Sequence, residues 1–171
     1  MTHVDNLAAA LGVSGRTLRR GIGLGLVRGS RMTQRWTRVA PDEEDYLIAS
    51  WAMLDAIRRA LRNERRVRFA LLHGDAARNR PLPRPDCPVR ILLTFFAEDP
   101  GGRARLHRKL ASATGREIRL TVMDEVEDQP RLLLDAIRHG RVLVDRRGTD
   151  WRWLKRQDWR LRRAEQSAPA Q

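Results

Sequence analysis

Arginines are the side chains best suited to chemistry in this sequence, and they suit hydrogen bonding to anions and to nucleic-acid bases. Lys and Arg number 34 against 21 Asp and Glu, a formal net charge of +13. Such a balance attracts a polyanion, and the planar guanidinium can bond phosphate or guanine through two N–H groups at once. The candidates for reading bases, all within the first forty residues, are Arg16, Thr17, Arg19 and Arg20.

Two short helices separated by a tight turn are the elements that must position these candidates. The apolar residues at helical spacing are Val4, Leu7, Ala8, Leu11, Leu18 and Ile22. Between the two groups, Gly12 can take a positive φ and Ser14 can cap the second helix, which places the four candidates on its outer surface. The stretch VDNLAAALGVSGRTLRRGIGLGLVRG resembles the N-terminal DNA-binding modules of bacterial regulators. The resemblance implies a recognition helix in the major groove, with Ser14 among the DNA-binding residues.

A β-hairpin is predicted next, over LVRGSRMTQRWTRV, because two short β-prone ends flank a Gly-Ser turn. Its arginines, expected to lie along the phosphate backbone, are Arg28, Arg31, Arg35 and Arg38. We therefore predict a winged helix-turn-helix DNA-binding domain over residues 1–40. The alternative is a solvated basic surface on a small helical module.

The rest of the chain predicts one long helix and then an alternation of strands and helices. Residues 41–64 form the connecting helix, because acids after Pro41 suit its N-terminus. Strands are expected over 67–72, 89–96, 117–123 and 142–144, with helices near 103–113 and at Pro130–His139. The expected fold class is therefore mixed, α+β or α/β, with a small mixed sheet and helices after the N-terminal module.

Three stretches between residues 67 and 147 carry a second resemblance. RFALLHGDAARNRPLPRPDCPVRILLTF is similar to the active-site region of small nucleotidyltransferases related to DNA polymerase β. GREIRLTVMDEV and PRLLLDAIRHGRVLVDR are similar to the later strand, helix and final strand of that family. The resemblance implies a nucleotidyltransferase-like domain over 65–147. It also implies a glycine turn that holds phosphates and three acids that bind two magnesium ions.

This sequence departs from that family's pattern at most of the catalytic positions. The residues of the vestigial nucleotide pocket are Gly74, Asp75, Asp86, Arg90 and Arg119. Asp75 replaces a serine, Asp86 matches the first acid, and the other two acids fall on Pro88 and Arg119. Because two divalent ions need several anionic oxygens, we expect no metal, no cofactor and no enzymatic activity. The domain would instead serve dimerisation, or bind a nucleotide or another anionic ligand without metal.

The last segment, 148–171, mixes tryptophans with arginines in TDWRWLKRQDWRLRRAEQ and ends in SAPAQ. It predicts a basic C-terminal helix and a disordered tail. Aromatic residues beside arginines can stack on bases. Tryptophans at this spacing more often anchor a terminal helix on the protein or on a partner subunit, and we favour docking.

Several classes of protein are excluded. The single cysteine, Cys87, cannot form an internal disulfide or a cysteine zinc site, and the histidines lie apart in sequence. No long uncharged apolar run and no signal peptide is present, so we expect no membrane association and a cytoplasmic, nucleoid-associated protein.

The leading hypothesis from the sequence is a transcriptional regulator that binds double-stranded DNA sequence-specifically as a homodimer. In it, the nucleotidyltransferase-like domain holds the subunits together or senses a ligand. The alternative is an antitoxin-like protein that binds a toxin partner, since small nucleotidyltransferases of this type accompany toxins that they bind or modify. A working nucleotidyltransferase is the third hypothesis.

Overall fold

The computed structural model describes residues 1–31 and 37–167. Its first elements are β1 (Thr2–His3), α1 (Val4–Ala10) and α2 (Gly15–Leu24). Gly12 turns the chain between the helices with φ +68°, a conformation that favours glycine. The Ser14 hydroxyl accepts a hydrogen bond from the backbone N–H of Thr17 at 3.2 Å. This bond caps α2 as the sequence predicts.

A small three-stranded antiparallel sheet combines the first strand with two strands that follow the two helices. It consists of β1, β2 (Ser30–Arg31) and β3 (Thr37–Val39), in the order β1-β3-β2. Ser30 pairs with Arg38 between β2 and β3, so the antiparallel strand pair expected after the helices is present. Arg35 and the side chain of Arg31, both predicted to contact DNA, lie outside the described residues.

The connecting helix, α3 (Pro41–Arg62), is 22 residues long. Pro41 stands in its first turn, where the missing N–H of proline removes no helical hydrogen bond. Three acidic residues in the same turn stabilise the helix by interacting with the positive end of its dipole. Leu47 and Leu54 on its apolar face are buried in one core with Leu18 of α2. Neither α3 nor any other described helix is long and apolar enough to cross a membrane.

A second sheet of four strands forms the centre of the molecule, in the order β6-β5-β4-β7. Its strands are β4 (Val67–His73), β5 (Val89–Phe95), β6 (Ile118–Val122) and β7 (Arg141–Asp145). β5 and β6 are parallel, whereas β4 runs antiparallel to β5 and β7. The helices that complete this part are α4 (Gly102–Thr114) and α5 (Pro130–His139). Each predicted strand and helix here lies within one residue of its expected bounds, and the expected fold class is confirmed.

Both faces of the four-stranded sheet are covered. Leu72 of β4 belongs to the core shared with α3 and α4, whereas Leu71 packs with α5 and the C-terminal helices. Neighbouring residues of β4 enter different cores because strand side chains alternate between the faces. Strands buried on both sides read as continuous apolar runs, and this explains VRFALL and VRILLTF.

A buried ion pair joins the N-terminal module, α3 and the central sheet. Arg141 Nη1 donates to Glu43 Oε1 at 2.6 Å, and Nη2 donates to Oε2 at 2.7 Å. The same guanidinium donates to the carbonyls of Leu26 at 3.0 Å and Ala77 at 2.9 Å. It also lies 3.6 Å from the centre of the Tyr46 ring. These contacts run between the predicted domains, so the domains pack closely against one another.

The C-terminal segment forms two helices, α6 (Asp150–Arg156) and α7 (Asp158–Ser167), where the sequence predicts one. Both dock on the protein as expected, through the buried Leu154 and Leu161. Trp151 is half-buried beside them, but Trp153 and Trp159 are 53% and 67% exposed. Of the three tryptophans, Trp151 therefore packs on the protein, because one side of each helix faces the core. Anchoring of Trp153 or Trp159 on a partner subunit, the other half of the expectation, stays a prediction. Residues 168–171 are outside the described part of the chain.

Candidate active site

The end of β4 and the beginnings of β5 and β6 lie side by side at one edge of the central sheet. Gly74 follows β4 with φ +71° and ψ −157°, which glycine adopts far more readily than other residues, and a 3-10 turn, Asp75–Ala77, comes next. His73 pairs in register with Arg90 of β5, and Arg90 with Arg119 of β6. The fold thus brings four of the five predicted pocket residues to one edge, and the fifth, Asp86, precedes β5.

Arg90 lies against the Gly74 turn. A Cβ atom at Gly74 would stand 3.3 Å from Arg90 Cδ and 3.9 Å from its Nη1, so the side chain extends along the turn. The side chain is exposed, and no carboxylate of the described residues lies within 4.0 Å of its nitrogens. Arg119 is also exposed, and its Nε donates to Glu117 Oε1 at 2.7 Å. The two guanidiniums therefore have one carboxylate between them.

His73 is the buried titratable group at this edge and is only 5% exposed. Burial, and after it the charge of Arg90, lowers the pKa of His73 to about 4, so the imidazole is neutral at pH 7. Its Nε2 is buried without a hydrogen-bond partner in the described ranges. Sequence reasoning gave His73 no functional neighbour. The strand pairing that places it beside Arg90 joins two strands that a long loop separates in the chain. Strand alternation, which puts His73 on the face of Phe69 and Leu71, was the available signal.

The acids required for a magnesium pair do not come together here. Asp86 accepts hydrogen bonds from Arg84 Nε at 3.1 Å and Nη2 at 3.0 Å. No group of three or more His, Cys, Asp or Glu side chains converges as a metal site within residues 1–31 and 37–167. Pro88 and Arg119 stand where the resemblance implies the other two acids. Two magnesium ions therefore do not fit the residues present.

The predicted base-reading surface lies on α2, away from this edge. Its residues are Ser14, Arg16, Thr17, Arg19 and Arg20. Arg16 and Arg20 are exposed, and neither has an ion pair among the described residues. Arg19 Nη2 donates to Asp5 Oδ2 of α1 at 2.6 Å. Arg38 is exposed on β3. Arg16, Arg20 and Arg38 are thus the predicted contacts that solvent reaches most freely.

Arg28 does not have the role that the sequence predicts for it. Its Nη1 donates to Asn79 Oδ1 at 2.7 Å, and its Nη2 donates to the carbonyls of Ala77, at 3.1 Å, and of His139. Burial lowers the pKa of the Arg28 guanidinium, and the charge of Arg141 lowers it further. The prediction that Arg28 contacts a phosphate backbone is wrong, because these N–H groups bond the protein's own carbonyls.

Similar proteins were found among solved structures only. No protein-family profile and no curated protein matches the sequence. The toxin–antitoxin MntA–HpeT, in a variant with two aspartates changed to glutamate, has a TM-score of 0.53 and 18% identity, covering 67% of this chain and 90% of that chain. The fold is nucleotidyltransferase-like. A toxin–antitoxin structure with AMP-PNP has a TM-score of 0.51 and 18% identity, with the same coverage.

These neighbours correct the expectation that the chain is not an enzyme. One of them was solved with AMP-PNP, an ATP analogue, and this points to enzymatic activity on the shared fold. Any nucleotidyl transfer at this edge must proceed with Pro88 and Arg119 at two of the three positions where the resemblance implies metal-binding acids. The neighbours also favour the antitoxin-like alternative over the leading hypothesis of a transcriptional regulator.

Proposed function

We propose that this chain is an antitoxin-like protein that binds a toxin partner. The observation that carries the proposal is the shared fold with MntA–HpeT, a toxin–antitoxin, over 90% of the matched chain. About a third of the present chain lies outside that match, since the match covers 67% of it. The part outside the match adds surface to the shared fold, and partner contacts there would be particular to this protein.

The α6–α7 face, which we define as the two hollows beside Trp153, supports partner binding. One hollow, of about 360 Å³, is lined by apolar residues that include Met123, Leu133 and Leu161. The other, of about 480 Å³, is lined by four arginines, Arg68, Arg147, Arg152 and Arg156, together with Asp124, Glu127 and Asp150. Trp153 lines both hollows and is half exposed. Tryptophan and arginine are the residue types that most often dominate the energy of protein interfaces.

The chemistry of the two hollows suits a segment that carries an apolar side chain beside an acidic one. An apolar side chain of the toxin would fill the first hollow, and a neighbouring acidic side chain would face Arg152 and Arg156 in the second. Asp124 and Glu127 line the same hollow and would disfavour a second acid there.

The test is co-expression with the protein encoded by the adjacent gene. That protein alone should arrest growth, and this chain should restore growth and form a complex with it. Trp153→Ala should weaken the complex by about tenfold or more. Trp159→Ala is the matched control, because Trp159 is also an exposed tryptophan, on α7, but lines neither hollow. The absence of a complex would contradict the proposal, and equal losses in both variants would remove the α6–α7 face from it.

A second candidate function, DNA binding, has one observation in its favour. Arg16 and Arg20 are exposed beside the capped N-terminus of α2, in a helix-turn-helix that an antiparallel strand pair follows. We propose that a homodimer would present two such helices to paired half-sites of double-stranded DNA, in association with the nucleoid. An antitoxin with this activity would bind both its toxin and DNA.

Duplex binding at several salt concentrations tests this candidate. Arg20→Ala should lower the affinity for one preferred sequence, or reduce the salt dependence by about one ion if Arg20 contacts phosphate. Arg108→Ala, which removes an exposed arginine from α4, should leave both unchanged. A purified chain that ignores duplexes at low ionic strength would exclude DNA binding while leaving the toxin proposal intact.

A further inference from the structure

The Gly74 edge combines a phosphate-binding type of turn with the wrong side chains for metal. The glycine, its positive φ and the short 3-10 turn are all present. Pro88 cannot coordinate a cation through its side chain, and Arg119 carries a positive charge where a third acid would stand. Arginine side chains thus stand where the resemblance implies bound metal ions. A ligand with several negative charges can contact these guanidinium groups without any added metal ion.

Arg90 and Arg119 are placed to act together. They are register partners on the parallel strands β5 and β6, so their backbones are about 4.8 Å apart and their side chains project from the same face. Both are exposed, and Arg90 also lies within 3.9 Å of the position that a Cβ of Gly74 would take. Arg90 beside the glycine turn and Arg119 on the neighbouring strand can bond adjacent phosphates of a single polyphosphate.

The arrangement of the charges at this edge, more than their sum, favours an anion beside Arg90. Arg90 has no carboxylate partner within 4.0 Å in the described part of the chain, and His73 behind it is neutral. Glu117 offsets part of the charge of Arg119. Asp75, exposed on the turn itself, opposes an anion. Asp135, whose charge also acts on His73, is paired with Arg78. The charges of this edge nearly cancel in sum, but Arg90 itself has no carboxylate partner among the described residues and is open to an anion.

We propose that this edge binds the triphosphate of a nucleotide directly on Arg90 and Arg119, without a divalent cation. The guanidiniums supply the charge that magnesium would supply, and the backbone N–H groups of the Gly74 turn hold one phosphate. Bidentate guanidinium–phosphate bonds are among the stronger hydrogen bonds in proteins, so exposed arginines suffice for measurable affinity. The proposal does not depend on a toxin partner and is tested on the purified chain.

The experiment is calorimetric titration of the full chain with ATP, in EDTA and then in excess Mg²⁺. Binding should occur in EDTA and should be no tighter with Mg²⁺, because the cation neutralises part of the triphosphate. Arg90→Gln and Arg119→Gln should each weaken binding by about tenfold. Arg65→Gln is the matched control, because it removes an exposed arginine at the opposite end of β4. Asp75→Asn should tighten binding, since it removes the opposing charge.

Titration with inorganic tripolyphosphate distinguishes recognition of the phosphates alone from recognition of the whole nucleotide. Equal affinity for tripolyphosphate and ATP would assign recognition to the phosphates alone, and tighter ATP binding would show that the nucleoside adds contacts. Both outcomes support the proposal. Binding of ATP that requires Mg²⁺, no binding in EDTA, or an equal loss in the Arg65 variant would overturn it. Circular dichroism of each variant shows that the fold is retained, as expected for exposed side chains.

Discussion

Arg141 and Arg90 lie on either side of the loop that follows β4, and they have opposite surroundings. Arg141, on β7, is fully buried, and its guanidinium bonds Glu43, two backbone carbonyls and Asn79. Arg90, on β5, is exposed beside Gly74 without an ion pair among the described residues. One side chain is part of the folded interior, and the other is available to a ligand.

The difference shows that the supply of partners, more than the residue type, decides what an arginine does. A buried guanidinium is tolerated only when carboxylate and carbonyl oxygens satisfy it, and Glu43 and Ala77 do so for Arg141. Arg28 belongs to the same buried network, through Asn79 and Ala77. The proposed site at Gly74 therefore depends on arginines that are not bonded in the interior, Arg90 and Arg119.

Glu43→Gln should have the largest effect on this comparison. It leaves the buried charge of Arg141 without a carboxylate, and we expect a loss of about 3–5 kcal/mol in the free energy of unfolding. Urea denaturation measures it. The control is Glu117→Gln, which removes the exposed partner of Arg119 and should change stability by less than about 0.5 kcal/mol. If Glu43→Gln does not unfold more easily than the control, the two regions do not differ as described.

The pH dependence of stability should report the next largest effect, at His73. Its folded pKa of about 4 lies below the ordinary value of 6.5, so the unfolded chain takes up the proton first as the pH falls. The free energy of unfolding should therefore decline from about pH 6.5 towards pH 4, by up to about 3 kcal/mol from this group. His73→Leu should lack this part of the decline. Identical pH profiles for the two proteins would show that His73 is not buried in neutral form.

Arg28→Ala should destabilise the protein by about 1–3 kcal/mol, because Asn79 and two carbonyls lose a buried donor. Thermal unfolding measures the change. Arg38→Ala, an exposed arginine of the same N-terminal module, should change the stability by less than about 0.5 kcal/mol. An unchanged melting temperature with weaker DNA binding in Arg28→Ala would return Arg28 to the DNA-contacting surface.

The smallest effect concerns the influence of Arg90 on His73. Arg90→Gln removes a charge that lowers the pKa of His73, so that pKa should rise, by about half a pH unit for one partly solvated charge nearby. An NMR titration of the imidazole measures this rise. Arg65→Gln, at the far end of β4, should leave the His73 pKa where it was. A His73 pKa that does not respond to Arg90→Gln would place the guanidinium away from the Gly74 edge.

Local pattern was sufficient for the elements of the central domain. Pro130 and Gly140 bracket α5, and the apolar runs of β4 and β5 have the composition of strands covered on both faces. The same local reasoning failed in the C-terminal segment. The chain divides at Gln157 into α6 and α7 there, and this lets both Leu154 and Leu161 join the core that contains Leu71 of the sheet and Leu134 of α5.

The candidate site was predicted less completely. Gly74, Arg90 and Arg119 meet at one edge because the strands that carry them are neighbours, and the family resemblance implied that order. The role of His73 depends on its register with Arg90, which no local pattern specifies. The exposed Trp153 and the two hollows beside it arise only when α6 and α7 pack on α5 and the segment after β6.

The amino-acid sequence by itself determined the helices and strands of the central domain, the positive charge and the loss of the acids at Pro88 and Arg119, because these depend on neighbouring residues or on residue type alone. Only the tertiary structure decided which arginines are bonded inside and which remain free. Arg141 and Glu43 are separated by 98 positions in the chain, and the energy of a guanidinium depends on what surrounds it after folding. Arg28 and Arg90 are the same residue type. Arg28 is bonded to Asn79 and stabilises the fold, whereas Arg90 is exposed beside Gly74 and can bind a ligand.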